Sequence, residues 1–407
     1  MTWHESEIRR VILTKRENPM TDHPQPSTRK GLFANRVANT LLMIVILLAL
    51  LWIFLFSIAL FGAAFKLVGK GFSQQLIATT TNPVIGLLIG LLATSLIQSS
   101  SSTTSIVVGM VAGGALTVQG AIPVIMGANM GTTVTNTLVA MTSMSRRTEF
   151  QRAFAGATMH DFFNLLSIAI LFPIEQVTHY LERSTTWLSV HLVGAEGTEF
   201  PNPVKDAVKP AVKTVKHWLQ GMDWSDGVVA IIMVVVALAG IFFALTWLTK
   251  VLKTLVLDKA EGGFTKSLRK SGLTAMFVGL LVTIGVQSSS ITTSLLVPLI
   301  GAGIVPLEAA FAATLGANIG TTVTALLASL TGTPGAVTVA LVHLLFNISG
   351  ILIIYPFGPI RRIPLRLAAG LAEKTAEKKI YALVYMVGIF FLLPLVFVLI
   401  DKLLKAA

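Results

Sequence analysis

The sequence predicts an all-α polytopic membrane protein built from two inverted-topology repeats, each with a re-entrant helical hairpin and a broken transmembrane helix. Three observations lead there. The first is composition: 54% of the 407 residues are hydrophobic and only 12% are charged, against about 25% charged in an average soluble protein. With a mean hydropathy of +0.78, the chain lacks the charge to cover the two or three soluble domains that its length would otherwise fill. The second is a series of apolar runs of membrane-spanning length. The third is a pair of polar motifs that recur in one register.

Residues 1–36 read as a basic cytoplasmic tail, since a full-length span follows them and no signal-peptide pattern is present. A bilayer crossing needs about 20 largely apolar residues, and 37–61 supplies the first. The region 83–143 is apolar but interrupted by Gly, Ser, Thr and Asn. Half-helices at about 83–97 and 103–116 are each too short to cross, so they form a re-entrant hairpin, and a broken span follows. A span that includes 165–173 and extends back through Ala153 closes the first repeat, 37–176. An extracytoplasmic segment, 177–226, leads to the second repeat, 227–358, with spans at 227–249 and 337–357 and a hairpin at about 272–304. A cytoplasmic loop and a final span at 380–400 occupy 359–407.

The repeat itself is read from two motifs. Gln98-Ser99-Ser100-Ser101-Ser102-Thr103-Thr104-Ser105 returns as Gln287-Ser288-Ser289-Ser290-Ile291-Thr292-Thr293-Ser294, and Gly127-Ala128-Asn129-Met130-Gly131-Thr132-Thr133 returns as Gly316-Ala317-Asn318-Ile319-Gly320-Thr321-Thr322, both at an offset of 189. His160-Asp161-Phe162-Phe163-Asn164 echoes His343-Leu344-Leu345-Phe346-Asn347 at an offset of 183, one loop being shorter. This is an internal duplication.

Three crossings per repeat is an odd number, so the second copy must sit upside down. The charges agree. Arg9, Arg10, Lys15, Arg16, Arg29, Lys30 and Arg36 precede the first span, and the loops at 144–152, 250–271 and 358–379 are all basic, as the positive-inside rule expects of cytoplasmic loops. The same placement weighs against a nucleic-acid partner, which the net charge of +12 would otherwise suggest. The N-terminus is expected in the cytoplasm and the C-terminus outside. Inverted repeats with broken helices meeting near the midplane are the architecture of secondary transporters.

Irregular backbone at membrane depth is tolerated only in protein or beside a wet cavity, so each Gln-Ser-Ser tract implies one. A half-helix N-terminus there offers free N–H groups and partial positive charge to an anion. The serine and threonine hydroxyls, with the amide oxygens of Gln98, Gln287, Asn129 and Asn318, equally suit a hard cation such as sodium. Close helix packing by small residues is the competing explanation, and it does not account for two tracts in register. Asp161 is the only carboxylate well inside a predicted span, a functional position by default. Its counterpart is Leu344, so one half holds an additional negative ligand suited to an extra cation, with Asn164 one turn on. Pairing of Asp161 with His160, or a place at the helix edge near Arg152, remains the alternative. His160 and His343 are expected to hydrogen bond in the interior, and no transition-metal ligand cluster is visible. There is no cysteine, no Walker A sequence, no Gly-x-Ser-x-Gly and no His-Glu-x-x-His. The chain therefore reads as a transporter driven by ion gradients, not an enzyme, and without a cofactor.

The two Gln-Ser-Ser-Ser motifs, the two Gly-Ala-Asn-x-Gly-Thr-Thr motifs, the run from Phe154 to Asn164 and the stretch from His343 to Pro356 resemble the type II sodium–phosphate cotransporters, over about 37–400. The resemblance implies symport of inorganic phosphate with sodium. It implies that Ser99, Ser100, Ser288, Ser289 and Thr324 touch phosphate, and that Gln287, Ser288, Thr321 and Thr324 take part in a sodium site. In that family the triplet matching Ala155, Ala157 and Asp161 marks electrogenic members, which carry three sodium ions per divalent phosphate. Ser143 and Arg146 stand where animal members have a glutamine and an aspartate, which puts a peripheral sodium site there in doubt. The short, cysteine-free outer segment suits a bacterial inner membrane. Proton coupling through Asp161 or His160, another oxyanion as substrate, and a phosphate-sensing or channel-like protein are the competing readings.

Overall fold

The computed structural model describes residues 27–68, 82–194 and 203–406. Most of the expected tail, and the inter-helix stretches 69–81 and 195–202, therefore lie outside the described residues. All the regular structure described is helical, and six helices are long and apolar enough to cross a membrane. The protein is an all-α polytopic membrane protein.

By contact the chain divides into residues 1–46 and 47–407. The first unit contributes the start of helix α1 (Ser27–Val68), with Leu41, Leu42, Ile44 and Val45 exposed as lipid-facing side chains would be. In the second unit the helices follow the duplicated order. After α1 come α2 (Pro83–Ile97), α3 (Ser100–Ala112), α4 (Val118–Met130), α5 (Thr133–Met141) and α6 (Arg147–Thr178). The second set is α9 (Asp226–Leu268), α10 (Gly272–Val286), α11 (Ser289–Gly301), α12 (Leu307–Ser329) and α13 (Pro334–Ile354). Between the sets lie α7 (Tyr180–Val193) and α8 (Pro203–Gln220). After them come α14 (Gly358–Glu377), α15 (Ile380–Val387), a π turn (Gly388–Leu392) and α16 (Leu393–Ala406).

Three local differences from the sequence reading have physical causes. The second hairpin arm begins at Ser100 and not near 103, because Ser99 caps it: its hydroxyl accepts the Ser102 N–H at 3.1 Å, so the serines form the first helical turn. The segment read as a cytoplasmic loop contains the helix α14, and the extracytoplasmic segment contains α7 and α8. The expectation of a broken helix in each copy holds only for the first. There the helix stops at Met130 and resumes at Thr133, whereas α12 runs unbroken through the second Gly-Ala-Asn motif. The reason is one side chain. Asn164 Nδ2 donates to the Asn129 carbonyl at 3.0 Å, the acceptor that the Thr133 N–H would use in a continuous helix. The equivalent Asn347 donates to the His343 carbonyl, one turn back on its own helix, and to the Asn129 side chain, leaving α12 intact.

Close packing of α2 on α4, and of α10 on α12, sets each hairpin in place. A Cβ at Gly127 would lie 1.9 Å from the Leu87 carbonyl oxygen, and one at the equivalent Gly316 would lie 1.8 Å from that of Met276. Only glycine lets these backbones approach so closely. The main core joins both copies, since Phe54, Val107, Ile122, Ile125, Ala325, Val342 and Phe346 belong to one buried apolar cluster.

Candidate functional site

Each hairpin turns at a glutamine in the left-handed region, Gln98 at φ 60° and Gln287 at φ 56°. Both residues cap the preceding helix and both make the same three bonds. The Gln98 N–H donates to the Thr94 carbonyl, its Nε2 to the Ser95 carbonyl, and its Oε1 accepts the Thr135 hydroxyl at 2.9 Å. The Gln287 N–H donates to the Thr283 carbonyl, its Nε2 to the Ile284 carbonyl at 2.7 Å, and its Oε1 accepts the Thr324 hydroxyl at 3.0 Å. These bonds offset part of the cost of a non-glycine residue at positive φ; they pin the first tip to α5, just past the first Gly-Ala-Asn motif, and the second tip to α12, which carries the second motif.

The next serine opens the second arm in both copies. Ser288 Oγ accepts the Ile291 N–H at 3.4 Å, as Ser99 does from Ser102. Ser100 and Ser289 follow in the first turn, both buried. Two helix N-termini, each carrying a partial positive charge, thus present serine hydroxyls. Both reach α12: Ser101 Oγ lies 3.0 Å from Thr321 Oγ1, and Gln287 bonds Thr324 one turn further on. Thr321 and Thr324 share a helix face and bridge the tip of one copy to the tip of the other. Among the described residues no lysine or arginine is buried, so no fixed cation serves this cluster.

The predicted asparagines form a second cluster. His160 Nε2 donates to Asn318 Oδ1 at 2.7 Å, and His343 Nε2 donates to Asn129 Oδ1 at 3.2 Å. Each histidine of one copy therefore holds the asparagine of the other. Since an amide oxygen only accepts, His160 carries its proton on Nε2, and in the neutral ring Nδ1 accepts from Thr133 Oγ1 at 3.1 Å. Asn164 joins this cluster by donating to the Asn129 carbonyl and by accepting from Asn318 Nδ2 at 3.5 Å. The oxygens of Asn129 and Asn318 are thus engaged by histidines, and Asn318 lies one turn along α12 from Thr321.

Asp161 is 2% exposed and bonds neither His160 nor Arg152. Its Oδ2 accepts the Tyr385 hydroxyl at 2.7 Å, while Oδ1 is buried without a hydrogen-bond partner. Asp161 and Asn164, expected on one face, have separate partners. Tyr385 was not singled out in the sequence; nothing local to the last span marks it, although a tyrosine inside an apolar run is a cue. Asn136 was missed too. It accepts from Thr293 at 3.1 Å and Ser294 at 2.9 Å, tying α5 to α11, and its counterpart is Ala325, so the repeat does not reveal it.

Elsewhere, Ser143 and Arg146 both engage Glu149, at 3.2 and 2.7 Å. A cluster of Glu175, His179 and Glu182 has ligand atoms within 4.8 Å of one another, but both Glu175 oxygens are taken by the N–H groups of Leu181 and Glu182 as a cap on α7. A cavity of about 650 Å³ beside Ala155 is lined by Thr148, Gln151, Arg152, Ile300 and Gly303.

Residues 53–189 and 241–372 match the family described as Na+/Pi-cotransporter, and the match takes in both tips and both asparagine motifs. The chain is 35% identical to sodium-dependent phosphate transport protein 2B of Homo sapiens, covering 86% of this chain and 64% of that protein. It is 35% identical to sodium-dependent phosphate transport protein 2A of Ovis aries, covering 91% and 69%. The chain thus spans a little under two thirds of the length of the 2B relatives. No solved structure matches it.

Proposed function

Since the chain belongs to the Na+/Pi-cotransporter family, we propose that it imports inorganic phosphate coupled to sodium. One observation carries the reading. The two hairpin tips, each opening a helix N-terminus with serine hydroxyls, reach neighbouring threonines of α12, and among the described residues no lysine or arginine is buried. Hydroxyls and helix dipoles suit an oxyanion, but the charge of divalent phosphate in a water-poor site needs more compensation than they give. Co-bound cations supply it, so anion and sodium each favour the other's entry. The names of the relatives support both ions.

In this reading Ser99, Ser100, Ser288, Ser289 and Thr324 contact phosphate, and Gln287, Ser288, Thr321 and Thr324 hold sodium. Gln98, Asn129, Asn318 and Asn164 complete the polar lining. Asp161 holds a third sodium, its unpartnered Oδ1 being the support for that role. Three sodium ions with divalent phosphate move one net charge, so the membrane potential contributes about 2.3 kcal/mol per 100 mV. The duplicated halves, 37–176 and 227–358, lie in opposite orientations with their hairpins re-entrant, and alternating access follows from one half rocking against the other. The 1–36 tail is cytoplasmic, 177–226 is extracytoplasmic, 359–407 is the cytoplasmic loop and final helix, and the membrane is a bacterial inner membrane.

Phosphate uptake into proteoliposomes, with sodium replaced by choline, tests the coupling. Uptake should fall to the protein-free background. Uptake that persists unchanged refutes sodium coupling and favours protons, and phosphate that only equilibrates indicates a channel.

A further inference from the structure

Half of the Asp161 carboxylate is accounted for by a residue that belongs to neither repeat. Tyr385 lies on α15, beyond the residues matched by the family, and its hydroxyl donates to Asp161 Oδ2 at 2.7 Å. Oδ1 is buried with no partner, a state that is costly unless a ligand takes the free lone pairs. Around this pair the last helix is specially shaped. The Tyr385 ring packs against Phe154 and Phe162 of α6, with centroids 6.4 Å away in each case, and against Phe390 at 5.7 Å. Five residues along an α-helix correspond to about 140° around its axis, so Tyr385 and Phe390 would point apart. The π turn Gly388–Leu392 adds the residue that brings their rings together. The same turn and α16 pack on α2 of the first copy, the copy that has the aspartate, whereas the second copy has Leu344 at that position.

We propose that Tyr385 is a positioning residue for the cation at Asp161. Its hydroxyl holds Oδ2, stops the carboxylate from rotating and so presents Oδ1 to sodium. The site then takes one element from outside the duplication, and the final helix becomes part of ion coupling and not only a membrane anchor. The proposal rests on the reading of Asp161 as a sodium ligand, and the test separates the two.

Tyr385→Phe keeps the ring and its aromatic neighbours and removes only the hydroxyl. In proteoliposomes at saturating phosphate, the sodium concentration for half-maximal uptake should rise about tenfold, the size of one charge-assisted hydrogen bond. The phosphate concentration for half-maximal uptake at saturating sodium should stay within about twofold. In an Asp161→Asn background the same substitution should add nothing. A sodium response within twofold of wild type in Tyr385→Phe overturns the proposal, as does an equal further shift in the Asp161→Asn background, which would mark a packing effect. If uptake is lost altogether, sodium-induced thermal stabilisation of the purified variant reads the same affinity. Should Asp161→Asn alone leave the sodium response unchanged, the reading of Asp161 fails, and the proposal with it.

Discussion

Thr135 and Thr324 make the same hydrogen bond in the two copies, and this offers an internal control on the substrate site. Each hydroxyl donates to the glutamine at its own hairpin tip, at 2.9 and 3.0 Å. Valine has nearly the shape of threonine, so Thr324→Val removes the donor and little else. Thr324 is 1% and Gln287 8% exposed, so the Gln287 oxygen loses its partner where water cannot replace it, at a cost of about 1–3 kcal/mol. Thr135 and Gln98 are half-buried, water can substitute, and Thr135→Val should cost below about 1 kcal/mol. Unfolding of ligand-free protein in detergent measures that difference. Transport should separate the two variants further. If Thr324 also contacts phosphate and sodium, its loss weakens both apparent affinities about tenfold or more, whereas Thr135→Val leaves them near wild type. Equal effects of the two variants on sodium and phosphate half-saturation would refute the assignment of the substrates to the α12 face.

Three further outcomes follow from the geometry. Gly316→Ala places a Cβ 1.8 Å from the Met276 carbonyl oxygen, forces α10 and α12 apart and should cost about 3 kcal/mol or more. Gly370→Ala, with nothing within 4 Å of its Cβ, should be neutral or stabilising by up to about 1 kcal/mol; yield and unfolding temperature check both. Asn318→Leu leaves the His160 Nε2–H without its acceptor and should cost about 1–3 kcal/mol, with much of the loss recovered when His160→Phe removes the donor too; a fully additive double variant would contradict the pairing. Asp161→Gly should abolish phosphate-evoked current and retain some uptake, as simultaneous current and tracer recording will show.

Much of the architecture was legible because the duplication wrote it twice. One offset of 189 placed both glutamine tips, and the structure gives Gln98 and Gln287 the same backbone conformation and the same bonding pattern. What differs between the copies was harder to read. The break after Met130 depends on Asn164 reaching a backbone carbonyl 35 residues away, and Asn347, its counterpart by sequence, bonds elsewhere. Periodicity cannot distinguish them. Composition likewise gave Asn129 and Asn318 free amide oxygens, whereas the fold brings a histidine from the opposite copy to each. Such a cross-copy contact is a tertiary event with no local sequence signature. Tyr385 is the same case at longer range, 224 residues from Asp161.

The central claim is that phosphate entry is driven by sodium and carries net charge. Its most direct test is uptake of labelled phosphate against a phosphate gradient in voltage-clamped proteoliposomes, with an imposed sodium gradient and current recorded together. The account predicts uphill accumulation that requires sodium, with about one positive charge entering per phosphate. Accumulation without sodium, or sodium-driven accumulation with no accompanying charge, would contradict it.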